Sequence, residues 1–331
     1  MPIRWGIASC CRASQDFANA LKSYPETQHQ LTAVAAKNVQ SLEAFASTFD
    51  IPQTYNTYID LATDENVDIV YVAVHNGMHV DVVRNIVNGG KHVVCEKPLC
   101  FNEKSAKELM VLAKVKGVFL MEAMWTKCFP GWEYLTNLLA EGVIGEVNFS
   151  QVTFGHSDYN QRNLNLKSMY KGSVMDFGIH ALCFQEQIFQ NLVPVKVLTT
   201  GFIGDQDVDE SASCILSYAE GKNAIISTHT RCSMPNEAII VGSKGIIRIP
   251  HFWYPTRLYL PDGEEKKFDL PNRERIVTRI VGFKYLIKEV QYCLERNMLE
   301  SEKHSHASTL TVIHWMDIWR KQLQVIYEQD S

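Results

Sequence analysis

This sequence predicts an α/β domain followed by an α+β domain, on three observations. Short apolar runs alternate with amphipathic stretches from Ile3 to Glu122. The alternation stops near Trp125, and strand-like segments then follow one another across short turns. At 331 residues the chain is long enough for two domains that each bury a core.

The elements read in order. Ile3–Ser9 is a strand, Asp16–Ser23 a helix, Leu31–Lys37 a strand and Ser41–Phe49 a helix. Val67–Val74 is continuously apolar, as a strand covered on both faces should be. His79–Asn88 is a helix stopped by Gly89-Gly90, and His92–Glu96, Glu103–Lys116 and Val118–Glu122 continue as strand, helix and strand. Such alternation implies right-handed βαβ units, hence a doubly wound parallel sheet of the Rossmann type over residues 1–123. From 124 to 331 the pattern is different. A helix at Trp132–Ala140 leads to a strand at Val147–Phe154, a polar loop from His156 to Gly172 and a helix at Val174–Phe189. Six strands are expected at Val195–Thr200, Glu210–Tyr218, Asn223–Cys232, Ala238–Val241, Gly245–Pro250 and Arg257–Leu260, then helices near Lys284–Arg296 and Ala307–Tyr327. The turns at Gly221-Lys222 and Gly242–Gly245 suit antiparallel connections, so this domain carries a large, mainly antiparallel open sheet.

Composition excludes several function classes. A net charge of −5 gives no footprint for nucleic acid or anionic lipid. No stretch approaches the ~20 apolar residues of a membrane span. Nine cysteines are scattered, several within apolar runs, and read as reduced and mostly buried thiols. No second Cys/His pair at zinc spacing accompanies Cys10-Cys11, so no metal is expected. Met1–Trp5 runs directly into a strand without the sections of a signal peptide, and the cytosol is the expected compartment.

The first βα turn is where a dinucleotide pyrophosphate would rest on a helix N-terminus. The glycine fingerprint is absent there: Ser9, Cys11 and Ser14 stand in its three places. All three are small, Ser9 and Ser14 carry hydroxyl donors, and Arg12 adds a cation. A tight turn that binds nothing would use the same residues. After the second strand stands Lys37-Asn38 and no carboxylate, which favours the 2′-phosphate of NADP over the free ribose of NAD.

Oxidising a secondary alcohol requires removing a hydroxyl proton while a hydride leaves the same carbon. In an open parallel sheet this happens beyond the carboxyl ends of the strands, where Lys97 falls. Pro98 restricts the backbone before it. Asp176 and His180 are four apart and share a helical face, so the carboxylate can orient the imidazole as an acid/base. Trp125 and Phe154 are candidates for an apolar substrate wall. The plainer roles are a solvated charge for Lys97, a helix cap for Asp176 and core packing for His180, Trp125 and Phe154.

Four segments, in order and spacing, resemble the glucose–fructose oxidoreductase (Gfo/Idh/MocA) family. They are Val74-His75-Asn76-Gly77-Met78-His79, Cys95-Glu96-Lys97-Pro98-Leu99, Gly142-Val143-Ile144-Gly145-Glu146-Val147 and Val174-Met175-Asp176-Phe177-Gly178-Ile179-His180. Arg4-Trp5-Gly6-Ile7 and the stretch from Phe119 to Thr126 are most similar to the family's branch of dimeric dihydrodiol dehydrogenases, which also oxidise D-xylose with NADP. The resemblance implies that Lys97 contacts cofactor and substrate hydroxyl and that position 180 carries proton transfer. It also implies that Asn76, His79 and Glu96 help hold the cofactor and that two copies pair through the second-domain sheet. His180 departs from that branch, where tyrosine is usual; histidine is usual in sugar and polyol members. The expected activity is thus NADP-dependent oxidation of a cyclic diol or aldopyranose. A polyol or inositol dehydrogenase, or a cofactor-binding protein without activity, stands as the alternative.

Overall fold

The computed structural model describes residues 1–157, 171–190, 192–270 and 277–327, with the side chains of 277 and 278 excepted. The chain divides into two compact units, Met1–Cys128 with Pro271–Thr309, and Phe129–Leu270 with Leu310–Ser331. The units therefore differ from the contiguous division 1–123 and 124–331, because the Pro271–Thr309 segment belongs with the first unit.

The first unit is built on six parallel strands: β1 Ile3–Ala8, β2 His29–Ala35, β3 Gln53–Tyr55, β4 Ile69–Val72, β5 His92–Cys95 and β6 Leu120–Glu122. Their spatial order is β3-β2-β1-β4-β5-β6, the order of a Rossmann sheet. Connecting them are α1 Arg12–Lys22, α2 Val39–Phe49, α3 Tyr58–Thr63, α4 His79–Asn88 and α5 Glu103–Lys116. Every residue of β4 is buried, which explains its unbroken Ile-Val-Tyr-Val run. Two caps define helix starts: the Asn38 side chain accepts from Ser41 N–H at the start of α2, and Asn102 accepts from Ser105 N–H at the start of α5, at 2.8 and 2.9 Å. Within this unit β3 and α3 lack a counterpart among the strands and helices read from sequence, being three and six residues long. The returning helix α8, Val277–Glu295, lies on α1 and sets Phe283 edge-on to Phe17 and Tyr71 at 5.5 and 5.7 Å.

The second unit carries an eight-stranded sheet. Its strands are β7 Val147–Gly155, β8 Lys196–Ile203, β9 Asp209–Ser217, β10 Asn223–His229, β11 Glu237–Gly242, β12 Gly245–Pro250, β13 Arg257–Tyr259 and β14 Glu265–Lys267. The order is β14-β13-β12-β11-β7-β10-β9-β8, antiparallel throughout except where β10 pairs with β7. One face is core: Val152, Phe154, Ala224, Ile226, Ala238, Ile240, Ile247 and Ile249 are all buried. The helices are α6 Pro130–Ala140 and α7 Ile179–Ile188, and α9 spans His306–Gln322. The helix expected at Val174–Phe189 opens with a π-helical turn, Val174–Gly178, before α7. Most of the loop expected from His156 to Gly172 lies outside the described residues.

Candidate functional site

In the first unit, β1 leads outward to β2 and β4 begins the other half of the sheet, so the crevice opens beyond the ends of β1 and β4. Ser9 leaves β1 with φ +107°, a conformation in which glycine is at ease and serine is strained. Its backbone N–H still pairs with Ala35 O (2.8 Å), and its Oγ accepts from Cys11 N–H (3.3 Å). Cys11 caps α1 without a side-chain bond to a backbone N–H of the helix; its thiol donates to Ala73 O at 3.2 Å, tying the turn to the end of β4. The helix thus begins at Arg12, four residues before the start expected from sequence. Ser14 is completely buried in the first turn, with Oγ 3.6 Å from Cys11 Sγ. A small side chain there permits close packing of helix on strand, the service of the third fingerprint glycine. Arg12 is mostly exposed and reaches Asp16 at 3.4 Å. Burial, then the neighbouring Cys11, pushes the Cys10 thiol up to about 11, so it stays protonated.

Lys37 is exposed, two residues beyond the end of β2. Asn76 opens a 3₁₀ turn, Asn76–Met78, and is buried. His79 opens α4 and is also buried. One ring nitrogen, Nδ1, donates to Pro98 O (2.8 Å), and the other lies 3.0 Å from the carbonyl of Val74, so this ring joins the loops after β4 and β5. Glu96 accepts a 2.6 Å bond from Tyr71 Oη, and the Tyr71 ring stacks on Phe17 at 3.9 Å. Lys97 follows, half-buried, joined to Pro98 by a cis peptide bond. Trp125 sits in a 3₁₀ turn, Trp125–Cys128, and is buried.

These features fit a dinucleotide. The N-terminus of α1 offers unpaired N–H donors beside Arg12, the glycine-like turn at Ser9 allows close approach, and Lys37 supplies a cation where a 2′-phosphate would lie. Sequence reasoning overlooked Arg279. From α8 its Nε donates to Asp16 Oδ2 at 2.7 Å, fastening α8 beneath the α1 turn. Burial would lower its pKa, but Asp16, Glu96 and Tyr71 together raise it, so it holds its charge. No local pattern marks this arginine, because its partner is 263 residues away.

In the second unit, Asp176 lies in the π turn and His180 in the first turn of α7. Lys171 Nζ stands 3.3 Å from Asp176 Oδ1. His180 is buried, with its ring 6.0 Å from that of Phe154. Phe154 in turn stacks on Trp253 at 4.1 Å and 21°, and packs on Phe177 at 4.7 Å. His156 stands edge-on to Trp253 at 5.9 Å. Phe154, a candidate for an apolar wall on sequence grounds, thus has Trp253 as its stacking partner, a residue missed because it follows β12 with no periodic pattern around it.

Among the described residues no group of three His, Cys, Asp or Glu side chains could hold a metal, and no helix is long and apolar enough to cross a membrane. None of the nine cysteines forms a disulfide.

Comparison with known proteins extends over the whole chain. It is 36% identical over 330 residues to trans-1,2-dihydrobenzene-1,2-diol dehydrogenase of Xenopus laevis, covering 99% of this chain and 100% of the relative. Identity to the proteins of that name is 33% in Mus musculus and 30% in Homo sapiens, with 100% of each chain covered. Two solved structures share the fold. A 3-ketoreductase from Actinomadura kijaniata, in complex with NADP and TDP-benzene, has a TM-score of 0.83 at 22% identity, covering 97% of this chain and 98% of that one. Levoglucosan dehydrogenase, in complex with NADH and levoglucosan, has a TM-score of 0.84 at 15% identity and covers 98% of both chains. The family model described as "Oxidoreductase family, NAD-binding Rossmann fold" matches residues 3–124, and the GFO/IDH/MocA C-terminal domain matches 132–248. With both domain models matched and full-length relatives above 30% identity, the chain belongs to the GFO/IDH/MocA family of oxidoreductases.

Proposed function

We propose that the chain is an NADP-dependent dehydrogenase that oxidises a secondary alcohol of a trans-dihydrodiol or an aldopyranose such as D-xylose. The observation that carries this reading is Lys97, placed beyond β5 beside the crevice in a chain 36% identical to a dihydrodiol dehydrogenase. Arg12 and the N-terminus of α1 would hold the pyrophosphate, Lys37 the 2′-phosphate, and Asn76, His79 and Glu96 the loops along the crevice. When bound, NADP would supply the hydride acceptor for the oxidation of the alcohol carbon to a carbonyl, which leaves one proton for the chain's own groups to remove. Lys97 is the first unit's candidate N–H donor to the substrate oxygen, and His180 is the second unit's candidate for taking the hydroxyl proton and passing it to water. Asp176 orients His180, and the Phe154–Trp253 stack supplies apolar surface for the ring of the substrate; Trp125, in the first unit, is a separate candidate for such surface.

The chain acts as a homodimer in this reading. Leu198, Phe202, Ile215 and Ile246 are exposed on the open face of the eight-stranded sheet, which suits a second copy laid against it. Nine cysteines without a disulfide favour a reducing compartment, the cytosol. His180, in place of the tyrosine usual in the branch, favours a sugar or polyol, and a substrate panel decides between these classes.

The test begins with tryptophan fluorescence. NADPH quenches the emission and NADH does so much less; no quenching by either at millimolar concentration removes the dehydrogenase reading. Reduced-nicotinamide absorbance with pentoses, cyclic diols and inositols then names the substrate. Lys97→Met abolishes turnover and keeps NADPH binding; retained turnover removes Lys97 from the reaction.

A further inference from the structure

Lys97 stands on a loop whose next peptide is gripped on both sides. The carbonyl of Pro98 accepts from His79, at 2.8 Å, and the N–H of Leu99 donates to Glu122 Oε1, at 2.9 Å. These are the two polar groups of a single peptide unit, so the pair prevents that plane from rotating. Glu122 ends β6, next to β5, and its side chain is wholly buried. Its second oxygen, Oε2, accepts from His304 Nε2 at 2.7 Å and Thr309 Oγ1 at 3.1 Å. The segment bearing His304 is itself tied to the free edge of β6: Leu120 N–H donates to Leu299 O (3.0 Å), and His306 Nε2 donates to Leu120 O (2.8 Å).

We propose that Glu122, fixed by His304 and Thr309, is a positioning residue that orients Lys97 by holding the Pro98–Leu99 peptide. The inference rests on the role assigned to Lys97 above. A buried carboxylate–imidazole pair is weak evidence for stability, since well-packed apolar residues serve as well. Here its directed oxygen reaches the backbone two residues beyond Lys97. Burial alone would raise the Glu122 pKa, but His304, the Leu99 N–H and Thr309 outweigh it and keep the carboxylate ionised, an acceptor on both oxygens. A lysine that must meet a reacting oxygen tolerates little displacement, because a misplacement of ~1 Å costs on the order of 10²-fold in rate.

The test compares Glu122→Met, which fills the space without an acceptor, with Glu122→Gln, which keeps an acceptor for Leu99. Glu122→Met is expected to lower kcat by ~10²-fold with the NADPH Kd changed less than ~3-fold, a difference of ~0.7 kcal/mol. It should also speed amide exchange at Leu99. Glu122→Gln should restore most of both. Adding Glu122→Met to Lys97→Met should bring no loss beyond that of Lys97→Met alone, since Glu122 acts through the Lys97 contact. Thr309→Val, which removes one donor to Oε2, answers the same question if Glu122→Met does not fold, with a ~3-fold or larger fall in kcat expected. Wild-type kcat in a folded variant whose Leu99 exchange has accelerated overturns the inference. Turnover retained by Lys97→Met instead overturns the role of Lys97, while Leu99 exchange still reports whether the grip exists.

Discussion

Asp209→Asn isolates the group that holds the start of the helix bearing Asp176 and His180. Asp209 opens β9 and is wholly buried; its Oδ2 accepts from Ser173 Oγ at 2.7 Å and from Val174 N–H at 2.6 Å. Its other oxygen, Oδ1, makes no hydrogen bond among the described residues. Gly172 gives it room, for a Cβ there would lie 2.4 Å from Oδ1. Burial pushes its carboxyl up to about 6 from 3.8, assisted by the charge of Asp176 and opposed by Ser173 and the Val174 N–H. Between those two values the folded state keeps a proton that the unfolded chain has released. The contribution to stability is therefore full below 3.8 and is lost as pH rises through about 6. A shift of this size is worth ~3 kcal/mol, and no solvent screening reduces it at a fully buried site. Asparagine does not titrate and still accepts from both donors. Urea unfolding of both proteins from pH 4 to 7 should show wild type losing ~3 kcal/mol relative to the variant across that range. Parallel profiles would show that Asp209 titrates alike in both states and refute the reasoning.

Two further substitutions read local strain and packing. In Gly282→Ala, a Cβ on α8 would lie 2.5 Å from Cε3 of the Trp125 ring, which must retreat by the better part of an ångström. The overpacking cost of ~1–3 kcal/mol exceeds the ~1 kcal/mol gained in helix propensity; a lower Tm and a raised KM for the alcohol are expected, and an unchanged KM would remove Trp125 from the substrate wall. Ser9→Gly relieves the positive φ of the first turn and should stabilise by ~1 kcal/mol, net of the greater freedom of the unfolded chain. Chemical denaturation showing destabilisation instead would mean that the Ser9 hydroxyl bond to Cys11 N–H outweighs the strain.

Much of the first unit was legible because parallel-sheet strands declare themselves. Ile69–Val72 is apolar at every position, and His79–Asn88 runs from its predicted first residue to its predicted last. The β1–α1 turn was legible in place but not in form. Ser9, Cys11 and Ser14 match no glycine fingerprint, yet Ser9 takes a glycine-like φ and Ser14 is fully buried in the first turn of α1. Glu122 offered a signal that went unused, a lone carboxylate within the apolar run Val-Phe-Leu-Met-Glu-Ala-Met. A charge in a buried strand needs a partner, but His304, 182 residues on, cannot be paired with it from the order of residues.

The sequence by itself determined the order of elements, the change of rhythm after the first sheet, and the positions of Lys97, Asp176 and His180 at element ends. These follow from periodicity and chain-local chemistry, which act over a few residues. Only the tertiary structure decided that Pro271–Thr309 belongs with the first unit, that Arg279 fastens α8 to Asp16, and that His79 and Glu122 grip one peptide beside Lys97. The physical reason is that buried polar groups must be satisfied somewhere, and distance along the chain places no limit on where the partner comes from.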